Sequence, residues 1–176
     1  MALETNTDLP SDGASRETPR TIRAHKGVPL APEALYAFLA TLDNHWLLTD
    51  RFVSLVSLHG PVESRTGGEI MIRGPLGLRR HASTWLDTDE PGLRLVGTAL
   101  VGRRTTARVT WALTRIPDGT DVELIVSVIA AGLADRALLI VATPWLRRRL
   151  LGAIDRLEQQ TVAERPAERD APPAST

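Results

Sequence analysis

The chain of 176 residues contains no cysteine. This absence excludes disulfide bridges, thiolate metal sites and a cysteine nucleophile. It is also consistent with a reducing compartment, and we therefore expect a cytoplasmic protein. Neither sign of charge is in excess, because 21 lysines and arginines match 21 aspartates and glutamates. Without a net field to attract nucleic acid or an anionic membrane, we expect a partner that is recognised by its shape.

Long uninterrupted apolar runs are also lacking. The most apolar stretch, Leu124 to Trp145, is broken at its centre by Asp135 and Arg136. Together these two residues cost about 5–7 kcal/mol in a bilayer, which cancels an aliphatic gain of similar size. The sequence therefore predicts no stable membrane insertion.

Apolar periodicity is missing at both ends of the chain. Residues 1–20 are rich in Thr, Ser, Asp, Glu and Pro, and residues 162–176 are rich in Pro and charge. Such segments bury too little apolar surface to offset chain entropy, so we interpret both as disordered tails. The sequence predicts one globular domain over residues 21–161.

The domain opens with a short strand and two short helices. Ile22–Val28 is predicted to be a strand that ends at Pro29. Pro32 then suits the first turn of a helix, where its missing amide hydrogen is not needed. Apolar residues follow at helical spacing. They are Leu35, Phe38, Leu39 and Leu42. A second short helix is predicted over Asn44–Leu48.

The middle of the chain has the pattern of an antiparallel meander, with short β-rich segments separated by Gly, Pro and Asp. The predicted strands are Phe52–Leu58, Glu69–Arg73, Leu78–Asp87, Leu93–Val101, Arg104–Ile116 and Thr120–Ala130. Val109, Trp111 and Leu113 alternate with polar residues, so one face of the sheet is apolar and needs a cover.

The cover is predicted to be a C-terminal helix. Thr143 suits an N-cap and Pro144 a first helical position, and the helix is expected to continue to about Gln160. Its apolar stripe is Leu146, Leu150, Ala153, Ile154 and Leu157. Leu133–Val141 is also predicted to be helical, either separately or as the first half of a helix kinked at Pro144. The fold class is α+β: a helix-grip fold with a curved antiparallel sheet of seven strands wrapping the long C-terminal helix.

The order of these elements over Thr21–Gln160 resembles the START-like superfamily, also called SRPBCC, and within it the polyketide cyclase/dehydrase and lipid-transport group. Three segments carry the resemblance: Pro32–Leu39, like the family's first helix; Leu42–Trp46, like the aspartate and tryptophan region after it; and Pro91–Val96, like its central hairpin. The resemblance implies a cavity for a hydrophobic molecule between the sheet and the long helix. Some members cyclise or dehydrate polyketide chains there.

Candidate catalytic residues are few. His45 follows Asp43 at a helix junction and could transfer a proton near the pocket mouth, or it could be part of a helix cap beside a packed tryptophan. His81 shares one strand face with Ser83 and Trp85, and the pattern leaves open whether that face is inward. No histidine pair has the spacing of metal ligands, so neither a metal nor another cofactor is expected.

The predicted ligand contacts are apolar or aromatic residues, because large rings with a single donor suit an apolar or aromatic ligand, although they serve equally well in a core. They are Trp46, Ile70, Ile72, Trp85, Val109, Trp111, Val126, Leu146 and Leu150.

Three functions fit these patterns. The first is a carrier or sensor that binds a lipid, polyketide or other apolar metabolite. The second is a polyketide cyclase or dehydratase that uses the same cavity, and the third is a protein-interaction domain resembling a co-chaperone, with a filled core. A monomer and a homodimer are both compatible with the sequence.

Overall fold

The computed structural model describes residues 20–60 and 66–169. Its elements in chain order are β1 (Arg20–Val28), α1 (Pro32–Ala40), a 3₁₀ helix (Leu42–Leu48), β2 (Val53–His59), β3 (Gly67–Arg73), a 3₁₀ turn (Pro75–Gly77), β4 (Arg79–Glu90), β5 (Arg94–Val101), β6 (Thr105–Ile116), β7 (Gly119–Ala130) and α2 (Leu133–Arg169). The predicted α+β class is confirmed, and each predicted strand lies within a few residues of an observed one. The predicted tails fall largely outside the described residues and stay a prediction.

All strands pair antiparallel in the order β1-β7-β6-β5-β4-β3-β2, so a long connection places β1 beside β7, and β2 forms the far edge. The curved sheet is not closed. We call the face that α2 covers the inner face. In the registered pairs, Trp111 lies between Leu95 of β5 and Leu124 of β7 on this face.

Two glycines permit close backbone approaches in the sheet. A Cβ atom on Gly119 would lie 2.1 Å from the carbonyl oxygen of Val28, and its φ of +144° disfavours any other residue. A Cβ atom on Gly67 would lie 2.0 Å from the carbonyl oxygen of Thr84. The β6–β7 turn can therefore pack against the end of β1, and β3 against β4, only without side chains at these positions.

The core lies at one end of the inner face, where α1, the 3₁₀ helix after it and the second half of α2 meet the sheet. The predicted stripe of α2 is buried there at Leu150, Ala153, Ile154 and Leu157, whereas Leu146 is only half-buried. Lys26 of β1 extends along the helix and donates hydrogen bonds to Asp155 and Glu158 at 2.7 and 2.8 Å.

Of the two alternatives for this region, the single helix that includes Leu133–Val141 is confirmed and a separate start at Thr143 is wrong, because α2 is one helix from Leu133 to Arg169. The Thr143 hydroxyl donates a hydrogen bond to the Leu139 carbonyl one turn earlier, at 2.6 Å, so it does not cap a first turn. Pro144 has no backbone N–H, so the Ile140 carbonyl lacks the hydrogen bond that this group would donate within the helix. Ile140 and Pro144 both lie on the exposed side of α2, where water can donate a hydrogen bond to the Ile140 carbonyl. The predicted end near Gln160 is also too early.

No helix in the ranges 20–60 and 66–169 is long and apolar enough to cross a membrane. The Leu124–Trp145 stretch is split between a strand and a helix, as its β-branched first part and the Asp135–Arg136 pair indicate.

Candidate functional site

Burial of the inner face changes from one end of α2 to the other. Ile154 and Leu157 are 0% exposed in the second half of the helix. Under the first half, the inward-facing side chains of Leu146, Val109 and Val126 pack against the core but remain only half-buried. The sheet and the helix thus present apolar surface to each other that is not fully covered.

Further apolar side chains lie on the inner face near the β2 edge of the sheet. Ile70 is buried on the inner face, Ile72 beside it is half-buried, and Leu55 of the edge strand is 38% exposed. Leu55 pairs with Ile70, so the three side chains form one apolar wall, which β4 and β5 separate from Val109 of β6. We call the inner-face surface formed by this wall and by Val109, Val126 and Leu146 the apolar groove.

An aromatic pair borders the groove near the β2 edge. The rings of Phe52 and Trp145 meet edge-on with centroids 5.8 Å apart. The Arg149 guanidinium lies 5.4 Å from the Trp145 ring centroid and donates to Asp50 at 2.7 Å. This contact connects the middle of α2 to the start of β2. Sequence reasoning did not select Trp145 and Phe52, because neither lies in a periodic pattern that shows which way it faces.

A polar cluster connects the start of α2 to the sheet. Asp135 accepts hydrogen bonds from Arg80 of β4 at 2.7 Å and from the Thr105 hydroxyl of β6 at 2.5 Å. Because both carboxylate oxygens are engaged, this cluster holds the helix over the groove. It contains no histidine or other group with an ordinary pKa near neutrality that could serve as a base.

The predicted ligand contacts divide into three groups. Trp111, Val109, Val126, Leu146 and Leu150 belong to one continuous cluster on the inner face, whereas Ile70 and Ile72 lie on the same face but outside that cluster. Trp46 lies in the 3₁₀ helix, where its indole Nε1 is buried without a hydrogen-bond partner among the described residues.

Trp85 and His81 lie on the outer face of the sheet. Trp85 pairs with Gly67, which is on the same face as Glu69, and it is 41% exposed. The Nδ1 atom of His81 lies 3.2 Å from one Glu69 oxygen, and Nε2 of His59 lies 3.5 Å from the other. Both contacts lie within ion-pair distance, and the Glu69 oxygen that faces His81 has no hydrogen-bond partner among the described residues. In the part of the chain that the structure describes, no group of three His, Cys, Asp or Glu residues is arranged to hold a metal ion.

His45 caps α1. Its Nε2–H donates a hydrogen bond to the Leu39 carbonyl at 2.5 Å, and the Asn44 amide donates to the Phe38 carbonyl at 3.1 Å. Both carbonyls belong to the last turn of α1 and have no partner within the helix. Burial lowers the pKa of His45 from its ordinary value of 6.5, and the hydrogen bond to Leu39 opposes this shift only in part. The ring is therefore neutral at pH 7, and it satisfies a carbonyl at the end of α1.

This burial predicts a loss of stability in acid. Because the folded-state pKa of His45 lies below the unfolded value of about 6.5, unfolding takes up a proton as the pH falls below that value. The free energy of unfolding should then fall by up to about 1.4 kcal/mol per pH unit below pH 6.5, until the folded-state pKa is reached. Chemical denaturation of the wild type and of His45→Gln between pH 7.5 and 5 tests this, and the variant should show the flatter profile.

His25 provides the control for this measurement, since it is exposed on β1. His25→Gln should keep the wild-type slope. Equal slopes in the wild type and in His45→Gln would show that another group causes the acid sensitivity.

No protein-family model matches the sequence, and no curated protein matches it. Several solved structures are similar to the chain. The chain is similar to TTHA0849 from Thermus thermophilus, with 19% identity and a TM-score of 0.61 over 82% of this chain and 99% of that one. It is also similar to Mll3558 from Rhizobium loti, with 15% identity and a TM-score of 0.56 over 81% and 96%.

DynU16, described as a putative protein in the dynemicin biosynthetic locus, is a third similar structure. It is 16% identical with a TM-score of 0.51, and the similarity covers 79% of this chain and 46% of DynU16. At these identities the comparisons establish the fold alone.

Proposed function

We propose that the protein binds an apolar small molecule, such as a lipid, a polyketide or a similar metabolite, in the apolar groove, as a carrier or sensor. The supporting observation is the change in burial along α2, from 0% exposed at Ile154 and Leu157 to half-buried at Leu146 and Val109. Inward-facing aliphatic side chains that their own protein leaves partly uncovered gain stability when an apolar ligand covers them. The resemblance to START-like proteins supports the same proposal.

The groove is lined mainly by aliphatic groups, which favours binding over catalysis. Thr84 on the inner face donates its hydroxyl hydrogen to the Gly68 carbonyl, and Thr105 donates to Asp135. A cyclase or dehydratase needs a proton donor or acceptor within about 3 Å of its substrate. The catalytic alternative is therefore the second candidate, and the origin of the similar DynU16 in a biosynthetic locus is the observation in its favour.

Native mass spectrometry of freshly purified protein, followed by titration with a fluorescent fatty acid, tests the proposal. We expect saturable binding with one probe per chain. Leu146→Glu should weaken it by at least about tenfold, since a carboxylate in an apolar site must lose its hydration.

Ile140→Glu is the matched control, because Ile140 lies on the same segment of α2 and faces outward at 59% exposure. It should leave probe binding in solution unchanged. Absence of saturable binding in the wild type, or equal loss in the two variants, would contradict the groove as the site.

A further inference from the structure

The first half of α2 exposes large apolar side chains on its outward side. Leu133, Ile140 and Val141 are 83%, 59% and 78% exposed. Spacings of seven and eight residues are about two helical turns, so the three lie on one side of the helix. Ala137, also exposed, lies between them, and the exposed Pro144 lies about one turn beyond Ile140 on the same side. We call these five residues the apolar ridge.

Arginines surround the ridge. Arg147 and Arg148 follow it by one turn on the same exposed side, and neither has a carboxylate partner among residues 20–60 and 66–169. Arg20 reaches the flank of the helix, where its Nη2 donates to the Thr143 hydroxyl at 3.2 Å. Arg104 borders the other end, with its Cδ 3.9 Å from the position of a Cβ on Gly132.

The acidic residue nearest to the ridge does not neutralise these arginines. Asp135 is turned toward the sheet, where it binds Arg80 and Thr105. Although the chain as a whole carries 21 charges of each sign, this surface combines exposed aliphatic groups with an excess of positive charge. That combination is typical of helices that lie in the interface of a membrane.

We propose that the apolar ridge docks onto an anionic membrane surface, with α2 parallel to the bilayer. Leu133, Ile140 and Val141 would enter the boundary between headgroups and acyl chains, while the arginines bind lipid phosphates and carboxylates. The helix segment from Leu133 to Arg148 is about 22 Å long, enough to lie along the surface with every ridge residue in contact.

A second copy of the chain fits this surface less well. A two-fold contact through the ridge would gather the arginines of both copies around one apolar patch, and the ridge offers no carboxylate to offset them. Anionic headgroups supply the missing negative charge. The proposal needs no occupant in the apolar groove, because the ridge and Leu146 lie on opposite sides of the helix.

Co-flotation of the full chain with vesicles tests the proposal. We expect binding to phosphatidylcholine vesicles with about a third phosphatidylserine, and much weaker binding to pure phosphatidylcholine. The double variant Ile140→Ser/Val141→Ser should reduce partitioning by at least about tenfold, because two aliphatic side chains no longer leave water. Arg147→Gln/Arg148→Gln should reduce it by about fivefold per arginine at low salt.

Val56→Ser is the matched control, since Val56 is a similarly exposed aliphatic residue, at 58%, on the edge strand β2. It should bind vesicles as the wild type does, and thermal melts should show that all variants are folded. Wild-type protein that binds neither type of vesicle would overturn the proposal. So would a wild-type dimer that becomes monomeric in Ile140→Ser/Val141→Ser without any vesicle binding, which would assign the ridge to a second copy.

Discussion

Leu157→Ala is expected to lower the free energy of unfolding by about 2–5 kcal/mol, the range for truncating a buried leucine. Leu157 is 0% exposed and packs in the core cluster together with Ile154, α1 and β1. Neighbours from a helix, a 3₁₀ helix and a sheet can collapse into the resulting cavity only in part, because each is fixed by its own hydrogen bonds. Chemical denaturation at pH 7.5 measures the change.

Arg148→Ala is the control on the same helix, because Arg148 is exposed and its loss should change stability by no more than about 0.5 kcal/mol. Two equally small effects would show that the second half of α2 is not the cover on which the sheet depends. Leu157 lies outside the apolar groove, so the single variant should still bind the probe wherever it remains folded.

The strands were predictable because their signals are local. Alternation placed Val109, Trp111 and Leu113 on one face, and all three are on the inner face. The turns were marked by glycine and proline, and at Gly119 the structure shows the reason, since any side chain would collide with the end of β1. Local rules also predicted α1 from Pro32 onward.

The sequence left open whether α2 is continuous, because Thr143–Pro144 is the usual signature of a helix start. Its local preference was overcome by contacts on either side. Asp135 binds the sheet before Thr143, and Leu150 is buried after it. The residues that Asp135 and Leu150 contact are distant from α2 in the sequence, so a rule based on neighbouring residues does not include them.

The sequence also did not show which side chains face the core and which face solvent. Trp85 and Trp111 are both aromatic residues in alternating strands, yet one lies on the outer face and the other in the core. Alternation along a strand shows which residues share a face, but not which of the two faces the helix covers. For Trp85, the pairing of β4 with β5 shows this. Similarly, Leu146 and Ile140 are both aliphatic residues of an apolar segment, and only tertiary packing shows that they face opposite ways.

Val109→Trp is expected to abolish saturable probe binding while leaving the free energy of unfolding within about 1 kcal/mol of the wild type. Val109 is half-buried on the inner face, between Gly97 of β5 and Val126 of β7. An indole at this position would extend beneath the first half of α2 and occupy the space that we assign to the ligand. Stability is kept because the ring would cover the same aliphatic surface as the ligand.

Arg108→Trp is the matched control, because neighbouring residues of a strand point to opposite faces and Arg108 is exposed. The same ring would then lie on the outer face, and probe binding should equal that of the wild type. Stability decides between the functions. If side chains already fill the groove, the indole must displace them at a cost of about 1–3 kcal/mol, and the wild type would have no saturable binding to lose. A destabilised variant and a wild type without saturable binding would together exclude the carrier and the cyclase hypotheses and favour the protein-interaction domain. A variant that keeps its stability but no longer binds the probe would require an open apolar site in the wild type.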